Sequence, residues 1–529
     1  MKFGLICCLY DDHEYLDCVM VPFQRLDKVL IMVSDRPWNG KPSDTSEVIQ
    51  HVNRICAVMP NFELVRGNWA TEKDQRNAGL AKLYKEGIDY TFIVDGDEIY
   101  HEAHVRNITQ FALANSAVAA FHIEWNTFWT KRYYAITPRE NFKPVVLVKT
   151  SSFMFTGLRQ GTTNITRADD KIFVSGAEKG KPQPYNYQVI PPQVAICYHL
   201  SYARTDEAIK RKIETFSHAT EIVDGWYEDV WQKWTPESTN LHPVTPMQYK
   251  KAEKYRFIDF PAQLQSFIKY ERRSIPCSII ILNWNSCDLL RRCLSQIEFN
   301  TSGVKYEVVI VDNGSTKDDS VPYLQALTEK SFVFPVKVVY NKENLGFAGG
   351  VNSGLAVANP DSDVCLLNVD AEVQTGWLEE LYHTLIRVPS SGLIGPLGNK
   401  VESGYQAEGM VKEDAVVPNL HFYCVLISRP LIDQIGKFDT RFGLGGWEDN
   451  DYGTRAKLAG FGHVISAKSL VRHEAHQVYR LNGEDHTKLD SINERKFLDK
   501  YYAVLFEVAQ AFDPYGIPDL AKKAGLILE

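Results

Sequence analysis

Apolar and polar positions follow the same order in the two halves of the chain. The strand-like runs of the first half are FGLICCLY, KVLIMVSD, NFELVRG and, after a polar-rich helical stretch, YTFIVDGDE. Those of the second half are CSIIILNWN, YEVVIVDNGS, VKVVYNKEN and, after the helical GGVNSGLAVAN, DVCLLNVDAEV. Near-continuous apolar runs that alternate with helices indicate parallel strands covered on both faces. The pattern therefore predicts an α/β chain in which one βαβ architecture occurs twice.

The repeat predicts two large domains and a connecting segment. The chain has 529 residues and is 44% hydrophobic, which is enough to bury more than one core. We assign residues 1–204 to the N-terminal domain, 205–274 to a helical and loop extension and linker, and 275–529 to the C-terminal domain with its C-terminal helices. Prolines break the helical pattern of the middle segment, so it could complete the first domain or pack between the two.

Charge and cysteine content restrict the partners and the compartment. A net charge of −8 gives no overall basic field, which disfavours nucleic acid but leaves a local basic groove open. The ten cysteines form no CxxC pair, so a reduced chain explains them better than disulfides or zinc. No run reaches the roughly 18–20 consecutive apolar residues of a membrane-spanning helix. We expect a cytoplasmic protein without a transmembrane segment.

Each half ends its fourth predicted strand in polar groups. Asp95 and Asp97 follow the first of these strands, and Asn368 and Asp370 follow the second. In open parallel sheets, ligands bind beyond the carboxyl ends of the strands. Carboxylates there suit magnesium or manganese, and such an ion can neutralise a departing diphosphate. The alternative is a polar turn that only ends a strand.

Five ordered motifs of the second half carry a family resemblance. They are IILNWNSCDLLRRCL, VVIVDNGSTKDDS, NKENLGFAGGVNSGL, LLNVDAEVQTGWLEEL and GGWEDNDYGTRAKLAGFG. This series resembles the inverting family 2 glycosyltransferases of the GT-A fold, especially the rhamnosyltransferase-like and galactofuranosyltransferase-like branch, over residues 276–480. The resemblance implies a Rossmann-like nucleotide-diphospho-sugar transferase domain, a nucleotide-diphosphate sugar as donor and a divalent metal, Mn or Mg.

The resemblance also implies a donor site in the second half. Asn283 at the end of the first strand and Asp312 in VDNGS match positions that contact the nucleotide. Asn344, Gly346 and Asn352 of the Gly-rich segment match positions beside the nucleotide sugar. A glycine lets the backbone approach a ligand closely, although a plain turn before a helix would use the same residues.

The metal motif of the family maps onto the end of the next strand. Asp370 matches its second acid, and Asn368 lies where many relatives have the first acid. His473 matches a histidine that often completes the metal site, and His476 is the competing choice. Because an amide is a weaker ligand than a carboxylate, this half departs from the usual pattern.

WEDNDYG matches the position of the catalytic base. Sugar transfer with inversion needs a group that takes the proton of the acceptor hydroxyl. The resemblance assigns this role to Asp449, with Glu448 and Asp451 beside it at the start of a helix. The alternative is capping of the helix N-terminus, where acidic residues are also favoured.

The first half resembles another family 2 pattern through LYDDHEYL, VLIMVSDRP, DQRNAGLAKL and FIVDGDEIY. It implies donor-binding roles for Asp35 and Arg76 and metal-binding roles for Asp95, Asp97 and His199. We therefore predict two GT-A domains in tandem.

The first half has no ED pair between its acidic strand end and His199. The acids available as a base include Asp169, Asp170 and Glu178, and the sequence does not select among them. An aromatic segment in this half could stack against a sugar or base, or could equally be part of the core. Its residues are Trp125, Phe128 and Trp129.

The sequence thus predicts a metal-dependent, bifunctional glycosyltransferase that acts on a glycan or another hydroxyl-bearing acceptor in polysaccharide biosynthesis. The main alternative is an active C-terminal domain with a non-catalytic N-terminal domain that binds acceptor or partner. Glycosylation of hydroxymethylated DNA ranks lower, and a nucleotidyltransferase is disfavoured by the ordered motifs.

Overall fold

A computed structural model describes the chain with internal gaps. Outside the described residues lie 39–41, 43, 158–160, 164, 169–170, 175–185, 216–218, 272–276, 328–330, 400–405, 475 and 513–529. The chain forms two compact units, Met1–Leu264 and Gln265–Glu529. The domain boundary predicted at residue 275 and the candidate bases Asp169, Asp170 and Glu178 lie outside the described residues, so these assignments stay predictions.

The N-terminal unit alternates strands and helices. Its strands are β1 (Phe3–Leu9), β2 (Lys28–Ser34), β3 (Phe62–Gly67), β4 (Tyr90–Asp95), β5 (Glu98–Ile99), β6 (Ala120–His122), β7 (Trp125–Trp129), β8 (Lys131–Thr137), β9 (Val145–Lys149), β10 (Met154–Phe155), β11 (Gly161–Thr162), β12 (Ile165–Ala168), β13 (Lys171–Val174), β14 (Tyr187–Val189), β15 (Cys197–Tyr202) and β16 (Lys251–Lys254). Its helices are α1 (Leu16–Met20), α2 (Ser46–Val58), α3 (Glu72–Lys85), α4 (Glu102–Ala114) and α5 (Asp206–Thr215). The next helix, α6 (Ala262–Glu271), contains the division between the units.

The C-terminal unit is built in the same manner. Its strands are β17 (Cys277–Asn283), β18 (Tyr306–Asp312), β19 (Val336–Tyr340), β20 (Val364–Leu367), β21 (Ala371–Val373), β22 (Ser391–Leu397), β23 (Ala415–Val417), β24 (Cys424–Ile427) and β25 (Gly462–His473). Its helices are α7 (Cys287–Asn300), α8 (Ser320–Ala326), α9 (Gly346–Val357), α10 (Trp377–Arg387), α11 (Arg429–Ile435), α12 (Glu448–Leu458), α13 (Gln477–Asn482) and α14 (His486–Phe512).

The main sheets of the two units have the same strand order and directions. The N-terminal sheet runs β3-β2-β1-β4-β9-β6-β14, and the C-terminal sheet runs β19-β18-β17-β20-β24-β22-β25, with β21 and β23 paired to β25. The first four strands of each order are parallel to one another. The fifth strand, β9 or β24, is antiparallel to both of its neighbours. The main sheets of the two units therefore share one strand order, while the N-terminal unit has a further five-stranded sheet, β16-β8-β7-β15-β5.

The strand interiors explain why these segments form sheets. In β17, Ile279 and Ile281 point to one face and pack with Leu290 of α7 and Trp377 of α10 in a fully buried core. Ile280, on the other face, lies against Gly354 of α9. Apolar residues on both faces bury the strand between helices on its two sides, as the near-continuous apolar run predicts.

Two features differ from the sequence prediction. The sheets are mixed rather than purely parallel, because an apolar run specifies burial and not strand direction. The segment predicted as helix and loop after residue 204 also contains a strand, β16, which pairs with β8 of the N-terminal unit.

All ten cysteine thiols are free. No helix in the described part of the chain is both long and apolar enough to cross a membrane.

Candidate functional site

Asn283 and Asp312 lie together at the carboxyl ends of two neighbouring parallel strands, where the register pairs them directly. Asn283 Nδ2 donates a hydrogen bond to Asp312 Oδ1 at 3.1 Å. The backbone N–H of Ser315 donates to Asp312 Oδ2 at 3.1 Å. Both side chains are buried. They hold the strand ends and the turn after β18, and Asn313, the next residue, reaches the cavity described below.

Gly346 begins α9 at a point where the backbone of another loop comes very close. Its φ is +73°, and a Cβ at this position would lie 1.8 Å from the carbonyl oxygen of Gly443. Only glycine fits such a contact without displacement. Asn344 Oδ1 accepts hydrogen bonds from the N–H of Gly346 at 2.9 Å and from Asn313 Nδ2 at 2.8 Å. The Gly-rich segment is therefore held rigidly against the loop that precedes α12.

Asn352 has a bracing contact instead of a place beside the cavity. Its side-chain amide donates to the carbonyl of Phe438 and accepts from the N–H of Phe438, both at 2.9 Å. Asn77 in α3 makes the same two bonds with Phe155, also at 2.9 Å. The two units thus share a side-chain contact as well as the strand order of their main sheets.

Asp370 and His473 form the predicted pair after β20. Short strand β21 pairs with the end of β25, so that Ala371 lies opposite His473. This register brings His473 Nε2 to 3.2 Å from Asp370 Oδ1. Asn368 Nδ2 lies 3.4 Å from the same ring nitrogen. The ring of His473 stacks on Tyr423, with centroids 4.9 Å apart, which fixes its orientation.

The Asp370 and His473 pair fits a divalent ion. Neighbouring ligands on an octahedral ion with bonds of about 2.1 Å lie roughly 3 Å apart, close to the separation of these two atoms. A carboxylate oxygen and an imidazole nitrogen both suit manganese. Among the described residues, no group of three or more His, Cys, Asp or Glu side chains is placed to hold a metal.

Glu448 and Asp449 begin α12 after Trp447, which has a φ of +73°. This left-handed residue turns the chain sharply into the helix. Asp449 Oδ1 accepts a hydrogen bond from the N–H of Asn450 at 2.7 Å. Glu448 Oε2 is buried and has no hydrogen-bond partner among the described residues.

Both carboxyl groups have perturbed acidities. Burial raises the pKa of Glu448, and the negative charge of Asp449 raises it further. Burial also raises the pKa of Asp449, while the nearby His421 lowers it. Two adjacent buried carboxylates resist ionising together, so the negative charge of either group raises the pKa of the other.

Asp451, the third acid of the motif, has a structural role. Its side chain is fully buried. Oδ2 accepts a hydrogen bond from Arg455 at 3.0 Å, and Oδ1 accepts from Tyr501 at 2.8 Å and from Lys500. It therefore fastens α12 to α14.

A cavity of about 380 Å³ brings most of the predicted C-terminal residues together. The predicted residues that line it are Asn344, Gly346, Asn368, Asp370, Glu448, Asp449, His473 and His476. Asn283, Asp312, Asn352 and Asp451 do not line it and support its walls. These residues are the candidates for contact with the donor sugar, for metal binding and for the catalytic base. One cavity therefore contains the groups that the proposed reaction needs.

Residues of the last helices line the same cavity and were not predicted. His486 Nδ1 lies 3.2 Å from Asp490 Oδ2 in α14, and the rings of His476 and His486 are 3.8 Å apart. Asn493 Nδ2, one turn further, donates to the carbonyls of Phe442 and Gly445. The two hydrogen bonds of Asn493 tie α14 to the loop before α12. They join segments about 50 residues apart, and no local motif signals them.

In the N-terminal unit, Asp35 and Arg76 are engaged in ion pairs. Asp35 Oδ1 accepts from Arg66 Nη2 at 2.6 Å on the surface. The guanidinium of Arg76 is buried, contacts Glu72 and lies 2.8 Å from Asp95 Oδ1. The positive charge of Arg76 therefore compensates the negative charge of Asp95 at the end of β4.

Asp97 is surrounded by positive side chains. Its Oδ2 lies 3.2 Å from Arg204 Nη2 and 3.3 Å from Lys212 Nζ, and its Oδ1 lies 3.9 Å from His199 Nε2. Burial raises the pKa of Asp97, but the charges of Lys212, His199 and Arg204 outweigh burial and leave this pKa well below its usual range. Asp97 is thus ionised and held by cations of the chain itself.

Asp97 and His199 match Asp370 and His473 in register. Strand β5 pairs with β15, so that Glu98 lies opposite His199, as Ala371 lies opposite His473. The ring of His199 stacks on Trp125, with centroids 4.0 Å apart, and its Nδ1 lies 3.2 Å from Thr127 Oγ1.

The aromatic segment of the first half belongs to the interior. Phe128 and Trp129 are fully buried. Phe128 packs on Phe260, and Trp129 packs against Trp226 and Trp231. The core alternative therefore describes these two residues, while Trp125 supports His199.

Comparison with known proteins identifies part of the C-terminal unit. Residues 278–436 match the family model described as glycosyl transferase family 2. The chain is 25% identical over 293 residues to the O-antigen biosynthesis protein RfbC of Myxococcus xanthus, a match over 50% of this chain and 22% of that protein. It is 24% identical over 246 residues to the N-acetylglucosaminyl-diphospho-decaprenol L-rhamnosyltransferase of Mycobacterium tuberculosis, over 38% of this chain and 77% of the relative. The chain thus spans about a fifth of the first of these relatives.

Solved structures also match, at low similarity. The mannosyltransferase PcManGT from Pyrobaculum calidifontis, in complex with GDP-Man and Mn2+, is 17% identical with a TM-score of 0.33, over 50% of this chain and 77% of that one. The family match covers β17 to α11 and the ends of the strands that carry Asn283, Asp312 and Asp370. Residues 278–436 are a glycosyl transferase family 2 domain.

Proposed function

We propose that the chain is a tandem glycosyltransferase that transfers sugars from nucleotide-diphosphate donors to a glycan or another hydroxyl-bearing acceptor. One observation carries the tandem arrangement. Each unit places an acidic residue after its fourth parallel strand and pairs the following short strand with a strand that carries a histidine. Asp97 and His199 are thereby related in the first unit as Asp370 and His473 are in the second. The shared sheet order supports the same conclusion.

In the C-terminal unit, Asp449 is the proposed base. It lines the cavity together with the groups assigned to the donor, and burial together with the charge of Asp449 raises the pKa of the neighbouring Glu448. Asp449 accepts the proton of the acceptor hydroxyl while that oxygen forms a bond to the anomeric carbon. The bond from this carbon to the nucleoside diphosphate breaks on the opposite face, so the configuration inverts.

Asp370 and His473 would hold a divalent ion in this unit. When bound, such an ion neutralises the charge that develops on the departing diphosphate. Asn344 and Gly346 line another part of the cavity edge, where the glycine backbone can lie against the donor. The Asn283 and Asp312 pair fixes the strand ends on which this edge rests.

The acceptor is proposed from the relatives. One is named as an O-antigen biosynthesis protein and the other as a rhamnosyltransferase acting on a diphospho-decaprenol-linked sugar. Both names support polysaccharide biosynthesis and a glycan acceptor. The net charge of −8 favours such an acceptor over hydroxymethylated DNA.

A second candidate function is a single active C-terminal unit with an N-terminal unit that binds acceptor or partner. The ion pairs that engage Asp35, Arg76 and Asp97 favour it, because these side chains already have partners inside the protein. Sugar transfer or donor hydrolysis by the N-terminal site separates the two functions.

The test is the mass of the product formed from acceptor and a panel of nucleotide sugars by the full chain. One variant carries Asp370→Asn and Asp449→Asn, and the other carries Asp95→Asn and Asp97→Asn. For a tandem enzyme, one variant stops at the untouched acceptor and the other after one added sugar. If the second variant gives the complete product, the N-terminal unit is not a catalyst. If both variants leave the acceptor unmodified although each single unit is intact in melting experiments, the two sites act as one.

A further inference from the structure

The two acidic strand ends differ in the charges around them. Asp370 has the imidazole of His473 as its ion-pair partner, and the structure shows no lysine or arginine within 4 Å of its carboxylate among the described residues. Asp97 has Arg204 and Lys212 on one carboxylate oxygen in addition to His199 on the other. Corresponding strand ends therefore carry an acid and a histidine without a nearby lysine or arginine in one unit, and an acid with two cations and a histidine in the other.

The positive side chains at Asp97 are fixed parts of the N-terminal fold. The Arg204 side chain is only 2% exposed and lies 2.5 Å from Asp12 and 3.4 Å from Glu14 as well as close to Asp97. Its guanidinium also lies over the ring of Tyr15. Lys212 Nζ donates to Ser201 Oγ at 2.7 Å. Several contacts besides Asp97 hold each cation in place.

A divalent ion does not fit this cluster as it fits the C-terminal pair. An ion bound to Asp97 would lie within a few ångströms of the positive charges of Arg204 and Lys212, and each of them repels it. Asp95, the other acid of the motif, already shares the buried guanidinium of Arg76. The separation of Asp97 from His199, 3.9 Å, also exceeds the spacing of about 3 Å between adjacent octahedral ligands.

We infer that the N-terminal acidic strand end holds no divalent ion, and that Arg204 and Lys212 supply the positive charge that a metal supplies in the C-terminal unit. The comparison with the C-terminal unit rests on the proposed function. The two units then differ in their need for metal, and a nucleoside diphosphate at the N-terminal site meets side-chain cations. This inference replaces the metal-binding roles that the sequence suggested for Asp95, Asp97 and His199.

Counting Mn2+ sites on the full chain tests the inference without measuring turnover. Electron paramagnetic resonance follows free Mn2+ during titration of the protein, with and without UDP. We expect one bound ion per chain, lost in Asp370→Asn and retained in Asp97→Asn. Two ions, one of which Asp97→Asn removes, would overturn the inference. No ion in any variant would contradict the metal proposed for the C-terminal unit and leave the inference on the N-terminal unit supported.

Thermal melting in EDTA is an independent test of the inference. If Asp97 compensates two cations, Asp97→Asn lowers the melting temperature of the N-terminal unit by about 4 °C or more without any metal present. The loss is smaller in a Lys212→Met background, since one of the unpaired charges is then absent. Lys210→Met, an exposed lysine on the same helix, is the matched control and leaves the loss unchanged. An empty metal site predicts the opposite: without metal, Asp97→Asn has no effect or raises the melting temperature.

Discussion

Replacing Asp449 by asparagine separates a catalytic base from a helix-capping residue. The amide keeps an oxygen that can accept the hydrogen bond from the N–H of Asn450, now 2.7 Å from Oδ1. The variant loses a favourable charge at the N-terminus of α12, typically worth about 0.3–1 kcal/mol. It also removes a negative charge beside Glu448 and Asp490. These opposing effects predict a change in stability within about 1 kcal/mol, or roughly 2–4 °C in melting temperature.

Turnover should respond far more strongly. Loss of a general base lowers the rate by about 10²–10⁴-fold, which corresponds to roughly 2.7–5.4 kcal/mol in the activation free energy. Donor affinity should stay nearly unchanged, because Asp449 acts on the acceptor proton. The assay measures turnover and donor KM for the C-terminal transfer step, with melting of the same samples.

Glu448→Gln is the matched control. Glutamine resembles the protonated Glu448, so turnover near neutral pH should remain within a few fold of the parent. Folding raises the pKa of Glu448. Its contribution to the free energy of unfolding is therefore fully present below its unfolded pKa of about 4.3 and is lost as pH rises through the raised pKa of the folded state. The melting temperature of Glu448→Gln relative to the parent should therefore increase from about pH 5 upward. An inactive Glu448→Gln beside an active Asp449→Asn would refute the assignment, and normal turnover with reduced stability in Asp449→Asn would make that residue a cap.

Three further substitutions test the walls of the cavity and the core. Gly346→Ala should lower the melting temperature and the donor affinity more than the control Gly376→Ala. Both glycines have a similar positive φ, but only the Cβ added at position 346 collides with Gly443, while the Cβ at position 376 meets open space. Equal effects of the two substitutions in melting and donor titration would contradict this prediction. Lys269→Met should cost about 2–4 kcal/mol in urea unfolding of the C-terminal unit, since the buried Lys269 Nζ, whose pKa burial lowers to about 7, donates to three backbone carbonyls that would lose their partner. Asn352→Leu should lose about 1–3 kcal/mol by the same measurement, as it leaves a buried backbone N–H and carbonyl without their side-chain partner.

The predictable part of this protein is local in the sequence. The first four strands of each sheet could be predicted because their apolar runs are long, bounded by turn residues and separated by helical patterns. The polar groups at their ends, such as Asn283, Asp312 and Asp370, follow directly from where each run stops. Strand direction could not be predicted for β9 and β24, because an apolar strand reads the same in either direction.

The remaining part depends on contacts between distant segments. His473 and His476 lie three residues apart, and the sequence alone does not decide which of them joins Asp370. The pairing of β21 with β25 places His473 at Asp370. Lys212 reaches Asp97 over 115 residues of chain. No motif in either segment predicts such a contact. The sequence therefore indicates Asp97 as a candidate site residue but does not indicate the positive charge that Lys212 brings to it.

The shared scaffold explains why one sequence motif can lead to two different sites. Strand order, the Asn77 and Asn352 braces and the register of the acid with its histidine are alike in the two units, because these features depend on the backbone and on buried side chains. The positive charges around the acid come from side chains outside that scaffold, namely Lys212 of α5 and Arg204 between β15 and α5 in the first unit. An acidic strand end therefore identifies a position in the fold, while its chemistry is decided by the side chains that later segments bring to it. On this basis, we expect the surroundings of Asp97 and Asp370, rather than the acids themselves, to determine whether a divalent ion binds in each unit.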